Sequence, residues 1–335
     1  MKLPKQGPLT CVLLIASLSA CFAPVGPGPR DTRGLYQHPV SARDSILDSK
    51  GELADGSADM QRTALREATA EREAPVLVIP GAAWMEADLE GFWPERQKLF
   101  YDLRGRGRSR PLSQRTPISL ESDVADLEAL RQEHGLDQID LLGWGYTGGV
   151  VLRYAMDYPE RVRRIVLVSP LPPRFEPYWI EYQKRYAQSV DAEAFAALDH
   201  WRASGRKGED PLGYARAYTQ VTWKTFTHDP SVAQAVRSQP FGTQNPDPER
   251  IARLNERIFH RLGAWSFSPE HIGQVHQPVL LFHGREDLLP LAASEEYARH
   301  LPQAQLEILA DCGRLPWLEA PERFAHRTES FLNAE

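Results

Sequence analysis

A short apolar run that turns on glycines straight into a helix constrains this chain more than any other feature. Residues 138–144, QIDLLGW, are nearly continuous in apolar side chains, the pattern of a strand buried on both faces. Gly145, Gly148 and Gly149 follow at once. The next residues, VVLRYAM, have the pattern of a helix that ends near Pro159.

Strands and helices alternate along the rest of the chain. APVLVIPG (74–81) sets four apolar residues between Pro75 and Pro80, and KLFYDLRGRG (98–107) is a second strand ending in a loop. LESDVADLEALRQEHG (120–135) places Val124, Leu127 and Leu130 at helical spacing, with Gly135 as a stop. RRIVLVSP (163–170), QPVLLFHG (277–284) and AQLEILA (304–310) supply further strands, with a helix over 291–300 between the last two. This alternation predicts an α/β fold with a mostly parallel central sheet covered by helices on both faces.

Residues 171–270 break the rhythm. They are helical in pattern and carry Tyr178, Trp179, Tyr182, Tyr186, Trp201, Tyr214, Tyr218, Trp223 and Trp265. They are expected to form an inserted helical cap over the strand ends, between a first core part (46–170) and a second (271–335). Most of these aromatics should be cap core, with some lining a pocket beneath it. Residues 46–73 are polar and weakly patterned, with room for a strand or two.

The N-terminus carries Lys2 and Lys5, an apolar run of about a dozen residues and then small residues, which marks a secretory signal over 1–20. Leu18-Ser19-Ala20-Cys21 resembles the lipobox of bacterial lipoproteins. That resemblance implies cleavage before Cys21, acylation of Cys21 and a membrane as partner. Phe22, where an aspartate would retain the protein at the inner membrane, implies the outer membrane of a bacterial envelope. Pro24, Pro27, Pro29, Gly26 and Gly28 make 21–45 a tether. With Cys11 lost and Cys21 acylated, only Cys312 remains as a thiol, so no intramolecular disulfide forms and the cysteines make no metal site.

The chain's net charge of −6 gives no case for binding nucleic acid. Its one basic cluster, RGRGRSR (104–110), reads as a solvated loop.

Several stretches in order, VLVIPG, YDLRGRGRS, the turn at 143–149, YPERVRRIVLVSP, PVLLFHGREDLLP and CGRLPWLEAPERF, resemble the α/β-hydrolase superfamily over residues 74–332. They are most similar to its capped branch of proline iminopeptidases and small esterases. The resemblance implies a nucleophile on a strand-to-helix elbow, an acid after a later strand, a histidine near the C-terminus and no cofactor.

Mapped onto this chain, the nucleophile position is Gly145. LLG ends the strand two residues before it, and Tyr154, Ala155 and Pro159 stand at the family's usual distances after it. The acid position is Asp287, which also suits a loop or helix-capping role. The histidine position is Arg314, which stays protonated and cannot act as a general base. Arg314 is expected to pair with Asp287 and close the old site.

Gly81, Ala82 and Tyr146 would supply oxyanion or ligand-binding N–H groups, although Gly81 also suits a tight turn. Thr147, in a formal G-x-T-x-G, is a substitute nucleophile only if the turn shifts by two residues. His283, Cys312 and Ser169 are further candidates to restore chemistry, each with a structural alternative. Three functions follow: a tethered pseudo-hydrolase binding a small acyl or peptide-like ligand or a partner, an active hydrolase with an unusual nucleophile such as Thr147, or an envelope scaffold.

Overall fold

The computed structural model describes residues 75–110, 112, 116, 118–241 and 247–334. The signal, the tether, Cys21 and the strand or two expected over 46–73 lie outside the described residues.

Strands β1 (Leu77–Pro80), β2 (Lys98–Tyr101), β3 (Ile139–Trp144), β4 (Val162–Val168), β5 (Val279–Gly284) and β6 (Ala304–Leu309) form one six-stranded sheet in the order β2-β1-β3-β4-β5-β6. Every pairing is parallel. Strands β1, β3 and β5 are buried along their whole length, which is why their sequences are apolar without alternation. Strand β6 lies at the edge and is only partly covered.

Helices α1 (Ala82–Leu89), α2 (Leu120–Glu133) and α3 (Tyr146–Asp157) precede β4, while α8 (Leu291–His300) and α9 (Pro321–Leu332) flank β6. Ser119 opens α2 with a capping box shared with Ser122. Between β4 and β5 the main elements are helices: α4 (Ile180–Ser189), α5 (Ala192–Ala203), α6 (Pro211–Phe226) and α7 (Pro248–Leu262).

The aromatics of this segment pack largely on one another. Trp179 stacks on Tyr182 at 4.9 Å and on Phe259 at 5.2 Å. Trp223 of α6 lies parallel to Trp144 at the end of β3, with ring centres 5.7 Å apart and planes 4° apart. This stack joins the helical insert to the sheet.

One expectation fails here. The arginine run is a solvated loop only in its second half, where Arg108 and Arg110 are exposed. Arg104 and Arg106 are buried and pair with Asp126 and Asp123 on the inner face of α2. Arg104 Nε donates to Asp126 at 2.6 Å, and Arg106 Nη2 donates to Asp123 at 2.5 Å. Asp123 also accepts from the Tyr146 hydroxyl at 2.7 Å, so the network reaches the start of α3. Buried charges are tolerated here because each has an opposite partner and further hydrogen bonds.

Candidate functional site

Gly145 sits at the tip of the turn between β3 and α3, with φ 55° and ψ −122°. That backbone region is nearly closed to residues with a Cβ, and a side chain held there stores strain of about 1–3 kcal/mol. The backbone therefore keeps the shape of an elbow that would present a side chain, at a residue that has none. Gly143 is required by close packing: a Cβ there would lie 2.6 Å from the Thr147 carbonyl oxygen.

Asp287 and Arg314 meet. The Arg314 Nη1 donates to the two Asp287 carboxylate oxygens at 3.1 and 3.4 Å, with side-chain exposures of 1% and 0%. Arg314 Nη2 donates to the Ser169 carbonyl at 3.0 Å, and the guanidinium lies 5.5 Å over the Tyr182 ring. The backbone N–H of Arg314 donates to Phe226 at the end of α6 at 2.7 Å. Its carbonyl accepts from the Trp144 indole at 3.1 Å. Arg314 thus ties together the acid loop, the end of β4, the helical insert and the elbow. Asp287 also accepts the Leu289 N–H at 2.9 Å.

The substitute nucleophiles are all engaged otherwise or buried. The Thr147 hydroxyl donates to the Trp144 carbonyl and accepts the Trp144 N–H, both at 3.0 Å, so it staples the elbow rather than standing at its tip. Thr147→Val, which keeps the shape and removes these bonds, is expected to cost about 1–3 kcal/mol in a denaturant titration.

His283 is buried, with Nδ1 2.8 Å from the Ser294 hydroxyl and Nε2 3.1 Å from the Leu289 carbonyl. The carbonyl can only accept, so Nε2 carries the proton and Nδ1 takes the serine's. Burial, with help from Arg314, holds its pKa below the usual imidazole value. Ser169 is buried at φ 40°, its hydroxyl without a hydrogen-bond partner among the described residues.

Cys312 is buried, and burial, reinforced by Glu319 and Asp287, pushes its thiol far above the ordinary range. The nearby Arg314 does not activate it. Iodoacetamide at pH 8 is expected to leave Cys312 unmodified in the folded protein and to alkylate it in guanidinium, as read by peptide mass mapping. Equal rates in both conditions would contradict a buried thiol.

A cavity of about 50 Å³, room for roughly three or four waters, lies against the elbow. Gly81, Gly145, Tyr146 and Thr147 form one side, Trp84, Met85 and Trp144 another, and Asn255, Ile258 and Phe259 of α7 the third. None of the nine aromatics singled out from the sequence lines it. They fill the core of the insert instead, and Phe259 supplies the ring at the cavity.

The signal for α7 lies in its spacing. Ile251, Leu254, Ile258 and Phe259 make one buried stripe, and Asn255 interrupts that stripe with a polar group facing the cavity.

The expected N–H donors divide. Gly81 is not available, because its N–H donates to the Tyr101 carbonyl at 2.8 Å, extending the strand pairing by one residue. Ala82 and Tyr146 open α1 and α3, so neither N–H has an acceptor within its own helix. Tyr146 lines the cavity and Ala82 does not.

Comparison with known proteins agrees with this fold. The family profile described as the alpha/beta hydrolase fold matches residues 95–321. The chain belongs to the α/β-hydrolase fold family.

The chain is similar to a pimeloyl-[acyl-carrier protein] methyl ester esterase of Nitrosomonas europaea, 28% identical over 67% of this chain and 80% of the other. It is similar to a proline iminopeptidase of Lactobacillus delbrueckii subsp. bulgaricus, 27% identical over 71% of this chain and 80% of the other. Among solved structures, a meta-cleavage product hydrolase from Pseudomonas fluorescens matches with a TM-score of 0.58 and 18% identity, over 82% of this chain and 93% of that one. The relatives of this α/β-hydrolase-fold chain are hydrolases.

At the elbow of this α/β-hydrolase-fold chain, hydrogen is the only substituent offered to a bound carbonyl. The group facing Asp287 is a permanent cation that cannot accept a proton. The Tyr146 N–H stands at the elbow cavity with no acceptor in its own helix. Among the described residues, no three His, Cys, Asp or Glu side chains converge to hold a metal ion. No described helix is long and apolar enough to cross a membrane.

Proposed function

We propose that this protein is a catalytically degenerate hydrolase that holds a small acyl or peptide-like ligand at the elbow cavity without turning it over. The observation that carries this reading is the residue at the elbow tip. Gly145 keeps the φ and ψ of a strained elbow yet brings no nucleophile. The Asp287–Arg314 pair supports it, because the acid that would orient a base is fully occupied by a cation. Loss of nucleophile and base together removes both the covalent route and the proton relay. In a comparable triad that loss amounts to about a million-fold in turnover.

The test is direct. A fluorophosphonate probe for activated serine hydroxyls should leave the purified protein unlabelled. Short nitrophenyl esters and aminoacyl amides should be hydrolysed no faster than in buffer. Stoichiometric labelling of any residue, or turnover that survives purification to homogeneity, would end this reading.

The N-terminal sequence adds a location to the proposal. With Cys21 acylated, the folded part hangs from a bacterial membrane, the outer one by the presence of Phe22 after the cysteine. Wild-type protein should then partition into Triton X-114, and Cys21→Ala should move it to the aqueous phase. Aqueous partition of both proteins would argue against an anchor.

A further inference from the structure

The helical insert carries a second cavity, about 170 Å³ in volume, between α6 and the segment that follows it. It shares no lining residue with the cavity at the elbow. Its apolar wall is made by Ala215, Val236 and Phe241, and Arg216, Arg237 and Ser238 bring hydrogen-bond donors to it.

Ser238 is the informative residue. It is 4% exposed, and its hydroxyl has no hydrogen-bond partner among the described residues. A buried hydroxyl left unmatched is destabilising, so a ligand that satisfies it gains accordingly.

The segment around Ser238 is also fixed in place. The buried carboxylate of Asp88 on α1 accepts the N–H of Arg237 at 2.8 Å and of Ser238 at 3.3 Å. Arg216 has no ion-pair partner among the described residues. The Arg237 side chain approaches Asp88 and Glu90 only loosely, at 3.9 and 3.7 Å. The Thr219 hydroxyl is already committed to the Ala215 carbonyl at 2.8 Å. The exposed Arg216 and Arg237 and the unmatched Ser238 hydroxyl thus line the same cavity as a small apolar wall.

We infer that this cavity binds a small aliphatic carboxylate. The carboxylate meets Arg216, Arg237 and the Ser238 hydroxyl, and the chain lies on Ala215, Val236 and Phe241. Guanidinium suits a carboxylate because its donors match both oxygens. The volume is below the roughly 300–1,000 Å³ of pockets for drug-sized ligands, and it suits an acid of roughly four to six carbons.

Butyrate titrated into the purified protein and followed by ligand-observed NMR tests this, with n-butylamine and inorganic phosphate as comparisons. Butyrate should bind, butylamine should not, and phosphate should bind about tenfold more weakly for want of the apolar contact. Ser238→Ala and Arg216→Gln should each weaken butyrate by about tenfold or more. Neither substitution removes a bond that holds the fold, and unchanged melting curves check this. Absence of butyrate binding would overturn the proposal. Binding that is unaffected in both variants would place the acid elsewhere and overturn it equally. Phosphate binding as tight as butyrate would make this a bare anion site and refute the carboxylate assignment.

Discussion

Arg314→Ala is expected to lower the stability of the folded protein by about 3–5 kcal/mol, a large fraction of the 5–15 kcal/mol that a domain ordinarily has. The substitution leaves the Asp287 carboxylate buried with no cation, and it frees the Ser169 carbonyl as well. Removing both charges together, as in Arg314→Met with Asp287→Leu, should recover most of the loss, because apolar residues of similar volume avoid the desolvation cost of the ions. Chemical denaturation of the single and double variants reads the difference. A loss near zero for Arg314→Ala would mean that the guanidinium contributes nothing to the fold, and the pair would no longer explain why an arginine stands there.

Gly145→Ser combined with Arg314→His should raise ester hydrolysis by about 10²–10⁴-fold over the wild-type background, the span that a positioned proton-transfer group ordinarily supplies. Asp287 is already in place to orient an imidazole, and the elbow backbone already has the required φ and ψ. Each single variant should stay at background, because a nucleophile and its base act as a unit. Gly145→Ser alone should also destabilise by about 1–3 kcal/mol, because serine has to adopt a conformation that glycine takes without strain. Adding Asp287→Asn to the active double variant should remove most of the gain. A folded double variant with no turnover on any short ester or aminoacyl amide would mean that the elbow, the acid and position 314 do not converge as mapped.

The parallel sheet was legible because its buried strands announce themselves as apolar runs, one of them ending on Gly143 and Gly145 before a helix that stops near Pro159. The elbow position and the Asp287–Arg314 contact followed from the resemblance of short stretches to the α/β-hydrolase superfamily. The first half of the arginine run was misread for a physical reason: whether Arg104 is solvated depends on Asp126, more than twenty residues later and on another element. Local charge density says nothing about that. A trace was present, since Asp123 and Asp126 stand three apart beside Val124 and Leu127, on the side of α2 that faces inward.

The cavity lining was misplaced for a related reason. The aromatics were chosen by residue type, whereas position on α7 decides what reaches the elbow, and there Asn255 and Phe259 prevail. The loss of Gly81 as a donor was hidden too, because one more residue of strand pairing cannot be seen in composition.

The parallel indoles of Trp144 and Trp223 have a consequence for motion. One ring ends a central strand and the other belongs to the helical insert, and the Arg314 N–H is bonded to the end of that same helix. Swinging the insert away would have to unstack the rings and strip a buried hydrogen bond at once. Hydrogen exchange in α6 should therefore track that of β3, so that small molecules enter and leave the elbow by side-chain breathing rather than by the opening of a hinged door.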